Sequence, residues 1–180
     1  VTGTVTGILP NNIVAICSAY NYLIALMTDG SIAWSSTTTP TDFTISLVTG
    51  AGSETPSGAT KPRFLKEHPA GFYIYCQDGV IFAAYTGNSR YPWKFVPVSN
   101  AGGYNSVKQA FGSYFSVNQY GVDNSNKVQL ISESSAQLVA PEVSTFLERK
   151  KYKDTFDYAA NTFLRVSGTV VAGITFVQDR

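Results

Sequence analysis

The sequence predicts an all-β protein, a small β-propeller of about four blades of short antiparallel strands, and three observations carry that expectation. The first is composition. Only 14% of the 180 residues are charged, while 44% are hydrophobic and 13% aromatic. An ordinary soluble domain carries about 25% charge. Polarity here comes from Ser, Thr, Asn, Gln and Gly, the mixture of a β-rich chain and not of a helical bundle. The second observation is a pattern that occurs twice: an apolar run, Asp-Gly, then another apolar run, at residues 20–36 and 71–85. The third is length. A unit of four short strands recurring about every 45 residues divides the chain into about four blades, each too thin to bury its own faces and so obliged to stack.

Each element follows in order. In the first copy, residues 13–17 form an opening strand, residues 20–36 a hairpin about Asp29-Gly30, and residues 43–48 an outer strand. In the second copy the same parts are residues 63–66, 71–85 about Asp78-Gly79, and 93–98. Asp-Gly is the pair expected at a two-residue type I′ turn, where both residues need positive φ. The third copy is looser: strands at 107–111, 113–119 and 127–132, with a longer turn at 120–126. The fourth has strands at 155–159, 161–166 and 169–176. The run at residues 2–9 is left over, and is placed as the outer strand that closes the ring on the fourth copy and removes a free edge. A single domain over 1–180 results, with repeats at 13–60, 61–106, 107–154, and 155–180 plus 1–9. Part of a larger propeller or of a longer virion-type chain, and a β-sandwich with similar hairpins, are the alternatives. Residues 141–154 break the pattern: Val143, Phe146 and Leu147 stand at helical spacing, so a short helix is expected there. Residues 50–62, rich in Gly, Ser, Thr and Pro, read as a loop on one rim.

Charge and motifs exclude several classes. Net charge is +1, and residues 1–60 hold no Lys or Arg. The one basic cluster, residues 149–153, is short, so no nucleic-acid partner is expected. No run of about 18 apolar residues exists to span a membrane as a helix. The first residues, Val1-Thr2-Gly3-Thr4-Val5, lack the basic and apolar regions of a signal peptide. Cys17 and Cys76 lie in apolar strands; two buried free thiols are the simpler expectation, a disulfide the alternative.

Two segments carry a family resemblance. Residues 34–43 (Trp-Ser-Ser-Thr-Thr-Thr-Pro-Thr-Asp-Phe) and 85–93 (Tyr-Thr-Gly-Asn-Ser-Arg-Tyr-Pro-Trp) resemble degenerate Asp-box hairpins. These are the Ser-x-Asp-x-Gly-x-x-Trp turns of sialidase-type and photosystem-assembly-type propellers. Phe43 and Trp93 match the terminal aromatic, Ser36 and Thr86 the opening hydroxyl. The central Asp is missing, with Thr38 and Asn88 near its place. The resemblance implies a propeller fold and leaves the activity open, since the turn is a folding device. The composition also resembles that of bacteriophage tail and virion structural proteins.

Catalytic constellations are not evident. A sialidase-like site needs converging arginines, a Tyr nucleophile and partner acids, and the five Arg are scattered at 63, 90, 149, 165 and 180. Asp29 and Asp78 are accounted for by their turns. His68, the only histidine, reads as an exposed loop residue without a ligand partner. Asp123–Asn126 lacks the terminal Glu of a Ca²⁺ loop. No metal and no cofactor are expected. The aromatics in or beside turns stand out, because they can stack on sugar rings or anchor an interface next to Asn, Ser and Arg. Asn88, Arg90, Tyr91, Trp93 and Tyr104 are the candidate ligand-binding residues. The expectation is a non-enzymatic structural or host-attachment module of a virion or tail assembly, virion-borne or extracellular. Its partners would be protein subunits, further copies of itself, or a host glycan or receptor. A glycan-binding lectin is the alternative, and a sialidase-like hydrolase the remoter one.

Overall fold

The computed structural model describes residues 4–58, 61–99, 110–111, 119–122, 128–138, 156–166 and 169–178. A 3-10 turn, Pro10–Asn12, leads into the first four strands: β1 (Ile13–Ala19), β2 (Tyr22–Met27), β3 (Ile32–Trp34) and β4 (Gly52–Glu54). They pair in chain order as one antiparallel sheet. The second sheet is β5 (Pro62–His68), β6 (Gly71–Cys76), β7 (Val80–Tyr85) and β8 (Trp93–Ser99), and the third is β9 (Ala110–Phe111), β10 (Gln119–Val122), β11 (Val128–Ile131) and β12 (Ala136–Leu138). A two-stranded ribbon, β13 (Phe156–Val166) and β14 (Thr169–Gln178), follows. The all-β expectation holds.

Side-chain alternation explains how the sheets stack. Successive residues of a strand face opposite ways, and every residue of β6 is buried. Phe72, Ile74 and Cys76 point into one core with Tyr22, Ile24, Leu26, Ile32 and Trp34 of the first sheet. Tyr73 and Tyr75 point into another, with Phe64, Phe82, Val98 and the third sheet's Ala110 and Ile131. The second sheet therefore lies between the other two. Each buried Phe or Ile contributes about 1.5–3 kcal/mol, so a strand loaded on both faces holds two interfaces at once. Polar ties reinforce them. Ser18 donates from its backbone N–H (3.0 Å) and its hydroxyl (2.9 Å) to Glu67 Oε1, joining β1 to β5.

The propeller expectation is corrected. Among the described residues the three four-stranded sheets stack in open series and do not close into a ring. The face of the first sheet turned away from the second carries Leu23, Ala25, Met27 and Ala33, and the chain's own Val5, Ile8 and Phe43 cover it. Thr6 makes a parallel bridge to Asp42. Its N–H donates to Thr41 O (3.0 Å), its carbonyl accepts from Phe43 N–H (2.9 Å), and its hydroxyl donates to Asp42 Oδ1 (2.8 Å). The N-terminal run is thus spent on the first sheet and closes nothing. The fourth copy also departs from a blade, because residues 156–166 run as one strand of 11 residues against a partner of 10, with an irregularity at Tyr158/Ala160.

Turn chemistry differs from expectation as well. Asp29, Asp78 and Gly79 take no positive φ; Gly30 does, at 87°. Gly30 N–H donates to Met27 O (3.0 Å) and Met27 N–H to Ser31 O (2.9 Å), a three-residue connection ending in a left-handed glycine bulge. The two-residue turn with both φ positive is instead Tyr20-Asn21, at 47° and 67°, between β1 and β2. Residues 43–48 are not the fourth strand of their sheet; β4, inside the segment read as a rim loop, takes that place. The helix expected at 141–154 lies outside the described residues.

A candidate recognition surface at one end of the sheets

In an antiparallel sheet alternate connections share an end. The Tyr20-Asn21 turn and the residue 35–51 connection therefore sit at the same end of the first sheet. The Ser18–Glu67 tie and the 69–70 turn place residues 86–92 of the second sheet there too. The two longer connections are built alike. Ser36 N–H donates to Asp42 O (2.7 Å) and Thr86 N–H to Pro92 O (2.9 Å), both across six residues. Inside each turn the opening hydroxyl accepts the N–H two residues on: Thr38 to Ser36 Oγ (3.2 Å), Asn88 to Thr86 Oγ1 (3.1 Å). Thr86 Oγ1 also donates to Tyr91 O, and Asn88 Oδ1 accepts from Arg90 N–H (2.9 Å). Each turn then delivers an aromatic, Phe43 or Trp93, into a core. Side-chain oxygens do the work of strand pairing, so these loops are held without being buried.

The candidate residues divide. Asn88, Arg90 and Tyr91 are exposed on the 86–92 turn. The Arg90 guanidinium carbon stands 5.6 Å from the centre of the Tyr91 ring, a cation–π contact, and Tyr91 is 63% exposed. Trp93 is not a surface residue. It is 5% exposed, edge-on to Phe72 (4.9 Å) and Tyr22 (5.7 Å) and 5.5 Å from Tyr85. Its role is to seat the loop. Tyr104 lies outside the described residues.

Sequence reasoning missed two contributors. Tyr20 stacks on Tyr85 at 4.0 Å with planes 16° apart, extending the aromatic column from the core to the surface. Its signal was the turn pair Tyr-Asn between two apolar runs. The other is the apolar side of the residue 35–51 connection. Ser46 Oγ accepts from Val48 N–H (3.2 Å), and Gly50 N–H donates to Ser46 O (2.9 Å). Pinned this way, the loop turns Ile45, Leu47 and Val48 outward, Val48 to 96% exposure. The carbonyl of Ser89 comes within 3.6 Å of where a Cβ on Gly50 would sit, so the loops abut.

His68 also departs from expectation. It is the last residue of β5, 2% exposed, edge-on to Tyr73 (5.3 Å) and Phe82 (5.2 Å). Its Nδ1 accepts from Ala70 N–H (3.1 Å), and Glu133 Oε1, on the connection between β11 and β12, lies 3.8 Å from the same nitrogen. Among the described residues no three His, Cys, Asp or Glu side chains converge as metal ligands. Cys17 and Cys76 are free and buried. Burial, reinforced by Asp78, pushes the Cys76 thiol up to about 12. Among the described residues no helix is long and apolar enough to cross a membrane.

No protein-family model matches the chain, and no curated protein or solved structure is significantly similar to it. The resemblance to Asp-box repeats and to phage structural proteins is accordingly not upheld. What remains of it is local: two loops pinned by an opening hydroxyl.

Proposed function

We propose that the chain is a non-enzymatic structural or attachment module of a larger assembly, a virion or tail being the kind its low charge suits, acting through protein or receptor contacts. One observation carries this reading. Ile45, Leu47 and Val48 are held outward by a loop whose own backbone and hydroxyls fix it. Exposing three large aliphatic side chains on a pre-ordered loop is unfavourable in an isolated chain, and such groups mark contact surfaces. Pre-ordering also lowers the entropy cost of contact. The test is incorporation. Native particles or complexes containing the protein are purified, and Leu47→Ser/Val48→Ser is compared with the unaltered chain. The variant is expected to keep its melting temperature and lose incorporation. A chain found only as a free monomer, or a variant that incorporates normally, overturns the reading.

A second reading, glycan binding, is favoured by the Arg90–Tyr91 pair beside Asn88 on the same face. Tyr91→Ala should abolish glycan-array binding while leaving the fold intact; an array without any binding eliminates this reading.

A further inference from the structure

At the opposite end of the sheets, the Asp29-Gly30 turn of the first meets the start of the second. Gly30 lies so close to Pro62 that a Cβ there would stand 3.5 Å from the proline ring. Beside this junction opens a cleft of ≈ 230 Å³ whose lining includes Asp29, Lys61, Pro62, Ile74, Cys76 and Ile81. Its floor is apolar, since Ile74, Cys76 and Ile81, each 1% exposed, belong to the core shared by the two sheets, and the half-buried rings of Pro56 and Pro62 line it beside them. Cys76 stays protonated within that floor, its thiol turned to Ile74 O (3.9 Å).

The rim carries one charge of each sign. Asp29 Oδ1 accepts from Ser31 N–H (2.9 Å) and from Ser31 Oγ (2.7 Å), and these bonds hold its carboxyl below the usual range, ionised at neutral pH. Lys61 is the first positive charge in the chain and enters no ion pair among the described residues. Its φ is +54°, a conformation costly for a lysine directly before proline. The conformation is anchored where Gln77 N–H donates to Lys61 O (3.1 Å).

We propose that this cleft binds a small aliphatic zwitterion, an α-amino acid with a branched hydrocarbon side chain. The ligand carboxylate meets the Lys61 ammonium, its ammonium meets the Asp29 carboxylate, and its side chain lies between Pro56 and Pro62 over the floor of Ile74 and Ile81. Size supports a ligand of this class, because the cleft falls below the roughly 300–1,000 Å³ of sites for drug-sized molecules. Charge supplies the selectivity. An apolar wall alone accepts any alkyl group, whereas a cation and an anion on one rim favour a molecule carrying both complements. The cleft's lining includes no residue of the 35–51 or 86–92 connections.

Isoleucine δ1-methyl NMR of the whole chain tests it, with leucine as the probe up to about 10 mM, enough to saturate a site of about 1 mM affinity. Leucine should shift the methyls of Ile74 and Ile81 saturably and leave that of Ile16, exposed on β1, unmoved. 4-Methylpentanoate, lacking the amine, and 3-methylbutylamine, lacking the carboxylate, should each bind at least about tenfold more weakly. Lys61→Met should weaken leucine by about tenfold with the remaining methyl spectrum unchanged; Lys61→Gln serves if the first variant folds poorly. Absence of a saturable shift at Ile74 and Ile81 overturns the proposal. So does 4-methylpentanoate binding as tightly as leucine, or unaltered affinity in the Lys61 variants.

Discussion

Trp93 and Tyr91 stand two residues apart and do opposite work. Trp93 fills the space between Tyr22, Phe72 and Tyr85, so Trp93→Ala should destabilise the fold by about 3–5 kcal/mol through loss of buried area and the cavity left behind. Tyr91→Ala, on the surface, should change stability by less than about 0.5 kcal/mol. Denaturant titration of both variants checks this, and equal losses would show that Trp93 is not a core residue. The buried thiols make a second prediction at this scale. The Cys76 pKa rises in the fold from 9.0 to about 12, and burial also raises that of Cys17. The folded chain holds these protons more tightly than the unfolded one. The Cys76 contribution to stability is therefore complete below pH 9 and lost as pH climbs through about 12. The denaturation midpoint should fall over that window, and Cys76→Ala should fall less steeply. A midpoint flat to pH 12 would contradict the assignment.

Elements show what was legible in the sequence. The first two hairpins could be read because β2, β3, β6 and β7 are apolar on both faces and end in turn residues. The turn geometry could not, because Asp-Gly serves a three-residue bulged connection as well as a two-residue one, and the choice rests on strand twist. Tyr20-Asn21 is a weak turn signal in sequence because Tyr rarely accepts the positive φ it takes here. β4, Gly-Ser-Glu, has no strand signature; it is recruited by pairing with β3. Of the candidate site, exposed turn residues could be named, but pattern alone did not separate Trp93 from Tyr91. The strictest element-scale demand is at Gly71, which opens β6. A Cβ there would lie 1.9 Å from the carbonyl oxygen of Ala83 on β7, at φ 154°. Gly71→Ala must push apart two paired strands that are packed on both faces. We expect a loss of about 3 kcal/mol or more, visible as a lower midpoint in denaturant, where a normal midpoint would refute the β6–β7 register.

At the scale of the molecule, the unequal covering of the sheets predicts an order of stability. The second sheet is enclosed by cores on both faces, whereas the outer face of the first is covered by a loop and the N-terminal run. Opening the N-terminal run breaks the few bonds at Thr6 and exposes Ala25, Ala33 and Phe43; opening β6 exposes both cores together. Local openings cost less where fewer apolar contacts are lost. Native-state hydrogen exchange should therefore place the amides of Tyr73, Ile74, Tyr75, Ile81 and Phe82 at the slow limit set by global unfolding. Phe43 N–H, bonded only to Thr6 O, and the amides of β4 should exchange at least about a hundredfold faster. Deleting residues 1–9 should accelerate Phe43 and Ala33 further and leave Ile74 unchanged. The same deletion uncovers an apolar sheet face, so it should also drive self-association. Uniform protection across the two sheets, or a deletion that leaves exchange of Phe43 and Ala33 unaltered, would mean that the N-terminal run is not what covers the open end of the stack.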